Sequence, residues 1–162
     1  MKNQKILLIT RAALIAAIYV ILTFAANALG LASGTIQVRF SEALTILPVF
    51  TPAAIPGLFV GCILANTLTG CALWDIIFGS IATLIGAAGT YLLRKRNPIL
   101  ATIPPIVSNM VIVPFVLRYV YSAPGSIAFF MFTVGIGELI SCMFLGLILY
   151  KVLLPHQEQI FG

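Results

Sequence analysis

Charge is what this sequence has least of. Its 162 residues include nine Lys or Arg and four Asp or Glu, 8% of the chain. A soluble domain carries about 25% charged residues. Hydrophobic residues make up 61%. Water could not solvate the surface of such a chain, so a soluble globular enzyme is excluded. Disorder is excluded too, because it needs low hydrophobicity and high charge. Histidine is nearly absent, and the single His156 lies after the last apolar run. The three cysteines, Cys62, Cys71 and Cys142, are odd in number and lack metal-ligand spacing. They read as free buried thiols, and no metal site is expected. The chain is also too short for the two inverted halves of a complete secondary transporter.

What is there is a series of charge-free runs at 12–38, 43–74, 76–93, 97–117, 119–137 and 139–150. A helix needs about 20 residues to cross roughly 30 Å of hydrocarbon. Six helices would use about 120 residues and leave about 40 for loops and tails. Residues 1–162 therefore read as one integral membrane domain, and any nucleotide hydrolysis must come from another chain. Breakers at Gly30, Ser33-Gly34, Pro48, Pro52, Pro56, Asn97-Pro98 and Ala123-Pro124-Gly125 divide the runs. The pattern predicts helices at 5–29, 36–50, 53–69, 72–93, 98–120 and 126–153. The second is short, and a re-entrant segment is its alternative. The first has a basic start like a signal peptide, but its apolar run is too long and further spans follow.

Basic residues collect on the cytoplasmic side of a membrane. With six spans and the N-terminus inside, Lys2, Lys5, Arg11, Arg94, Lys95, Arg96 and Lys151 are cytoplasmic. Only Arg39 and Arg118 are then outside. The expected fold is all-α, with six transmembrane helices and both termini cytoplasmic. The net charge of +5 is explained by anchoring against anionic lipid and needs no nucleic acid.

A charge at the centre of a membrane helix costs about 2.5–3.5 kcal/mol, so the polar residues within the spans are informative. With this topology Asn27, Arg39, Glu42, Asn66, Trp74 and Asp75 fall near the outer side. Asn109 is mid-span and Glu138 lies between the outer third and the middle. The inner half keeps only small hydroxyls. A channel would need polar residues along its whole length; an outward-facing pocket for a small, polar, aromatic ligand needs them in one half. Plainer roles exist for each residue. Arg39 and Glu42 have i,i+3 spacing for an ion pair. Asp75 suits a helix start. Trp74, Tyr119 and Tyr121 suit an aromatic belt, and Arg118 an interface anchor. Asn27 suits a helix end, and Asn66 and Asn109 suit interhelical hydrogen bonds. Glu138 has no basic residue near it in its own helix, and it is the hardest to explain without a ligand or a network.

The first helix carries small residues four apart, Ala12 with Ala16 and Ala13 with Ala17. Such a stripe lets another backbone approach closely, either within the chain or on a partner. Gly57 and Gly61 form a second such pair.

A basic N-terminus, Ala-xxx-Ala in the first of six helices and an outward cup resemble the substrate-binding S components of energy-coupling factor (ECF) transporters. The more specific resemblance is to the QueT family. It is carried by 38–45 (VRFSEALT), 48–62 (PVFTPAAIPGLFVGC), Ala65-Asn66 and 75–84 (DIIFGSIATL). The resemblance implies uptake of queuosine precursors, which are 7-deazaguanines bearing a nitrile or aminomethyl group. It implies a transmembrane coupling subunit that docks on Ala12, Ala13, Ala16 and Ala17. It also implies two cytosolic ATPases, so that ATP is hydrolysed by partners and this chain holds no cofactor. A guanine-like edge suits a carboxylate with an Asn or Arg beside it. From depth, Glu138 is assigned that edge and Asp75 or Glu42 the substituent end. Segment 30–37 is a candidate gate, because its glycines permit movement. Another vitamin-like heterocycle, a small intramembrane enzyme and a ligand-free scaffold are the alternatives. The enzyme lacks a His in any span or a nucleophile with an evident base, and clustered acids argue against the scaffold.

Overall fold

The computed structural model describes residues 2–32 and 36–161. Ser33, Gly34 and Thr35 of the candidate gate lie outside the described residues, as does the side chain of Lys2. Every regular element among the described residues is helical. The order is α1 (Lys2–Ala28), a 3-10 helix (Phe40–Val49), α2 (Ala54–Leu68), α3 (Leu73–Leu93) and α4 (Pro98–Tyr119). Then come α5 (Ile127–Glu138), a π-helical stretch (Leu139–Leu145), α6 (Gly146–Leu153), a 3-10 turn (Leu154–His156) and α7 (Gln157–Phe161). Asn97 caps α4 by accepting from the Ile99 amide at 2.9 Å, and Ser126 caps α5 through the Phe129 amide at 3.2 Å.

Four helical runs are long and apolar enough to cross a membrane: Gln4–Ala28, Leu73–Leu93, Pro98–Tyr119 and Ile127–Phe161. The short second helix expected at 36–50 is present, but wound as a 3-10 helix and not as an α-helix. Phe40–Val49 is a 3-10 helix of 10 residues. At about 2.0 Å per residue it reaches about 20 Å, short of the roughly 30 Å of hydrocarbon. Nor does it face lipid: Ser41 through Pro48 are all buried. It packs against α1, α2, α3, α4, α6 and the π-helical stretch, so it forms the centre of the bundle. Helix α2, with 15 residues, is also short; at 1.5 Å per residue it covers about 22 Å.

Burial is inverted relative to a soluble protein. Large apolar side chains such as Ile9, Leu14, Ile21, Leu64, Ile85, Val107, Phe132 and Phe144 are exposed. Glu42, Asn66, Asp75, Asn109 and Glu138 are buried, along with many Ser and Thr hydroxyls. Hydrocarbon outside and hydrogen-bonding groups inside is the arrangement a bilayer rewards. The chain is a multi-pass membrane protein by this pattern.

The two small-residue pairs meet each other. A Cβ at Gly57 would lie 2.7 Å from the Ala12 carbonyl oxygen, and one at Gly61 would lie 2.8 Å from Tyr19 Cβ and 3.0 Å from Ala16 Cα. Ala12 and Ala16 are thus occupied in closing α1 onto α2. Ala13 and Ala17 stay exposed on the other face of α1.

Candidate functional site

The cavity-lining side chains come from the C-terminal ends of α1, α2 and α5, the start of α3, the second half of α4, and the 36–42 segment. They converge at the end of the bundle away from the basic 94–96 turn. An outer chamber of about 260 Å³ is lined by Thr23, Asn27, Gln37, Arg39, Asn66, Thr69, Cys71, Asp75 and Tyr121, with Val113 and Leu117. An inner chamber of about 20 Å³ is lined by Gln37, Arg39, Glu42, Asp75, Thr83, Asn109 and Glu138. Gln37, Arg39, Asp75 and Val113 line both, so the chambers adjoin. The outer volume sits just below the roughly 300–1,000 Å³ typical of ligand sites, which suits a small ligand.

Each acid is held differently. Glu42 is presented by the first turn of the central 3-10 helix. Its Oε1 accepts from the buried Tyr19 hydroxyl of α1. Arg39, three residues earlier, lines the same inner chamber. Asp75, in the first turn of α3, accepts from the Tyr121 hydroxyl at 2.8 Å. Tyr121 in turn accepts from the Ala72 amide at 3.1 Å. Partial burial, with the Asp75 carboxylate beside it, raises the Tyr121 phenol above its ordinary range, so it stays the donor. Glu138 ends α5, and its Oε2 accepts from the Cys142 thiol at 3.0 Å.

The π-helical stretch that follows Glu138 lies where the extended segment 36–39 crosses the helix. The Arg39 amide donates to Ser141 Oγ at 3.1 Å. A Cβ at Gly137 would collide with the Gln37 carbonyl oxygen. Only glycine lets the extended segment lie this close, and that segment carries two of the four residues shared by both chambers. Irregular helix turns of this kind gather at functional sites.

Asn27, Arg39, Asn66 and Asp75 line the outer chamber, and Arg39, Glu42, Asp75, Asn109 and Glu138 the inner one. Trp74 lines neither. It is 55% exposed and stacks on Phe78 at 5.9 Å, on the outer surface. One residue is a turn of about 100° on a helix, so Trp74 cannot share Asp75's inward direction. Gln37, Tyr121 and Tyr19 were not expected in the site. Gln37 could have been found, as an amide within a charge-free run. The tyrosines could not, because a belt or packing role suits them equally well.

Glu42, Glu138 and Cys142 bring three ligand atoms within 4.8 Å of one another. No spacing in the sequence discloses this cluster. Its donors already serve one another: Tyr19 donates to Glu42, Cys142 donates to Glu138, and cationic Arg39 lines the same chamber. A hydrogen-bond network suits that set better than a metal centre. All three cysteines are free thiols, and Cys71 is only half-buried, in the outer chamber.

Residues 9–155 match the model of the family described as QueT transporter. The chain belongs to the QueT transporter family. Over 86 residues it is 36% identical to the queuosine precursor transporter QueT of Lactococcus lactis subsp. cremoris (strain MG1363). That match covers 52% of this chain and 50% of the relative, so it spans half the relative's length. No solved structure matches the chain significantly.

Proposed function

We propose that this QueT-family chain is the substrate-binding membrane subunit of an ECF-type importer for queuosine precursors, 7-deazaguanines such as the 7-cyano and 7-aminomethyl forms. The observation that carries this reading is a two-chambered polar cavity at one end of a bundle whose outside is apolar. A heterocycle offers both hydrogen-bonding edges and a flat face, and the cavity offers carboxylates, amides and a guanidinium in a small volume. The name of the Lactococcus relative supports the cargo.

In this reading the cavity opens outward, both termini are cytoplasmic, and the chain sits in the bacterial cytoplasmic membrane. The two short elements complete six helical segments. A transmembrane coupling subunit and two cytosolic ATPases supply the energy, and this chain binds without changing its ligand. The exposed face of α1 at Ala13 and Ala17 supports a partner surface there, with Ala12 and Ala16 holding α1 in place behind it.

Mass spectrometry of small molecules co-purified from cells fed with queuosine precursors tests the cargo. Recovery of a 7-deazaguanine is expected; recovery of another vitamin-like heterocycle overturns the assignment. Co-purification with ATPase subunits tests the coupling, and its loss on Ala13→Leu or Ala17→Leu is expected.

A further inference from the structure

The inner chamber holds two buried polar atoms without a well-formed hydrogen bond. Glu42 Oε2 and Asn109 Nδ2 have no hydrogen-bond partner. Their residues are 2% and 4% exposed, and both line the inner chamber. An ionised carboxylate oxygen only accepts, and an amide nitrogen only donates. The Asn109 amide nitrogen lies toward the Glu42 and Glu138 carboxyls without closing a good hydrogen bond to either. The chamber thus presents one unmet acceptor beside one unmet donor. At about 20 Å³ it exceeds what one water needs, yet no ring fits inside it. The ring of a ligand must lie in the adjoining outer chamber and send in only an edge.

We propose that the inner chamber reads the lactam edge of a planar heterocycle. The ring N–H donates to Glu42 Oε2, and the neighbouring ring carbonyl accepts from Asn109 Nδ2. This rests on the reading of the cavity as a heterocycle site and specifies which face of the ligand it selects. It reverses the roles expected from depth: Glu42 takes the guanine-like edge, while Glu138 positions the Asn109 amide. A 7-substituent lies beside the ring carbonyl, at the mouth between the chambers, from which it extends into the roomier outer chamber near Asn27, Asn66 and Tyr121. The site is therefore strict about the lactam and tolerant of the substituent. An adenine-type ring has the same outline but replaces the lactam by an amidine, which inverts donor and acceptor. It would set its ring acceptor against Glu42 and its amino group against Asn109.

Binding of three ligands to the intact chain in nanodiscs tests this: 7-aminomethyl-7-deazaguanine, unsubstituted 7-deazaguanine and 7-deazaadenine. The first two are expected to bind within about tenfold of each other, and 7-deazaadenine at least about a hundredfold more weakly. Equal affinity for 7-deazaguanine and 7-deazaadenine overturns the proposal, and this comparison needs no variant. Glu42→Gln is expected to weaken 7-deazaguanine binding about tenfold to a hundredfold with an unchanged Tm. Unchanged binding by that variant means the unpaired atoms serve a water only, and overturns the proposal. If none of the three ligands binds the wild-type chain, the heterocycle reading fails, and the lactam assignment with it.

Discussion

The two ends of this bundle are built on opposite plans. At one end, six segments hold carboxylates, amides and a guanidinium around a hollow. At the other, Phe50 stacks on Tyr150 at 5.3 Å and on Phe161 at 5.4 Å. Arg11 donates to the Phe161 carbonyl at 3.1 Å there, and the Arg94 guanidinium lies 3.8 Å from the Tyr91 ring centre. The first end gives up packing for hydrogen-bonding capacity, and the second gives up capacity for closure. A pore would need the same chemistry at both ends. The contrast favours a binder that holds its ligand on one side and must be moved as a whole, or rearranged, to release it on the other.

That contrast can be broken at chosen points. The largest effect is expected from Gly137→Val, which forces a side chain against the Gln37 carbonyl. Overpacking of this kind costs about 1–3 kcal/mol. It also displaces the segment bearing Gln37 and Arg39, so ligand binding should be lost along with a drop in Tm in detergent. Next comes Tyr19→Phe. It removes the donor to Glu42 Oε1 without changing shape, and a buried acceptor left alone costs about 1–3 kcal/mol. Thermal unfolding should report that loss, and calorimetry should show weaker ligand binding. Tyr121→Phe removes two half-exposed hydrogen bonds, one to Asp75 and one from the Ala72 amide, at about 0.5–1.5 kcal/mol each. A several-fold fall in affinity is expected, with little change in Tm. Phe161→Ala acts at the closed end. It should lower the Tm slightly, through a stacking contact of about 0.5–1.5 kcal/mol, and leave ligand affinity unchanged. An affinity loss from Phe161→Ala comparable to that from Tyr121→Phe would mean the two ends are not independent.

Much of the architecture was legible in advance. Gly and Pro breakers set helix limits that differ from the observed ones by a few residues at most for α2, α3 and α4. The 3-10 helix was not legible. The run from Phe40 to Phe50 is charge-poor and apolar enough to suggest an ordinary span. Its tighter winding is held by surroundings on every side: Tyr19 on Glu42, Thr23 on Ser41 at 3.0 Å, and the helices packed around it. The π-helical stretch was hidden for a similar reason, since the extended segment it packs against, crossing at Gly137 and Ser141, lies a hundred residues earlier in the chain. In the cavity, cost made residues visible. Charged and amide groups stand out because hydrocarbon penalises them, so Arg39, Glu42, Asn66, Asp75, Asn109 and Glu138 could be named as candidates. Tyr19 and Tyr121 carry little such penalty, and only geometry reveals them. Trp74 shows the converse: adjacency to Asp75 in sequence says nothing about direction on a helix.

The shortness of α2 has a consequence for the bilayer itself. Its outward face, at Val60, Leu64 and Leu68, is exposed to hydrocarbon, yet the helix spans about 22 Å against a core of about 30 Å. A bilayer meeting that flank would thin, or flanking polar groups would reach out of it, at fractions of a kcal/mol per Å of mismatch. The long helices α3 and α4 demand no such accommodation on theirs. A lopsided dimple in the bilayer, deepest on that flank, is the expected result. Thinner bilayers relieve that mismatch and thicker ones increase it, so acyl-chain length alone should bias how the bundle tilts.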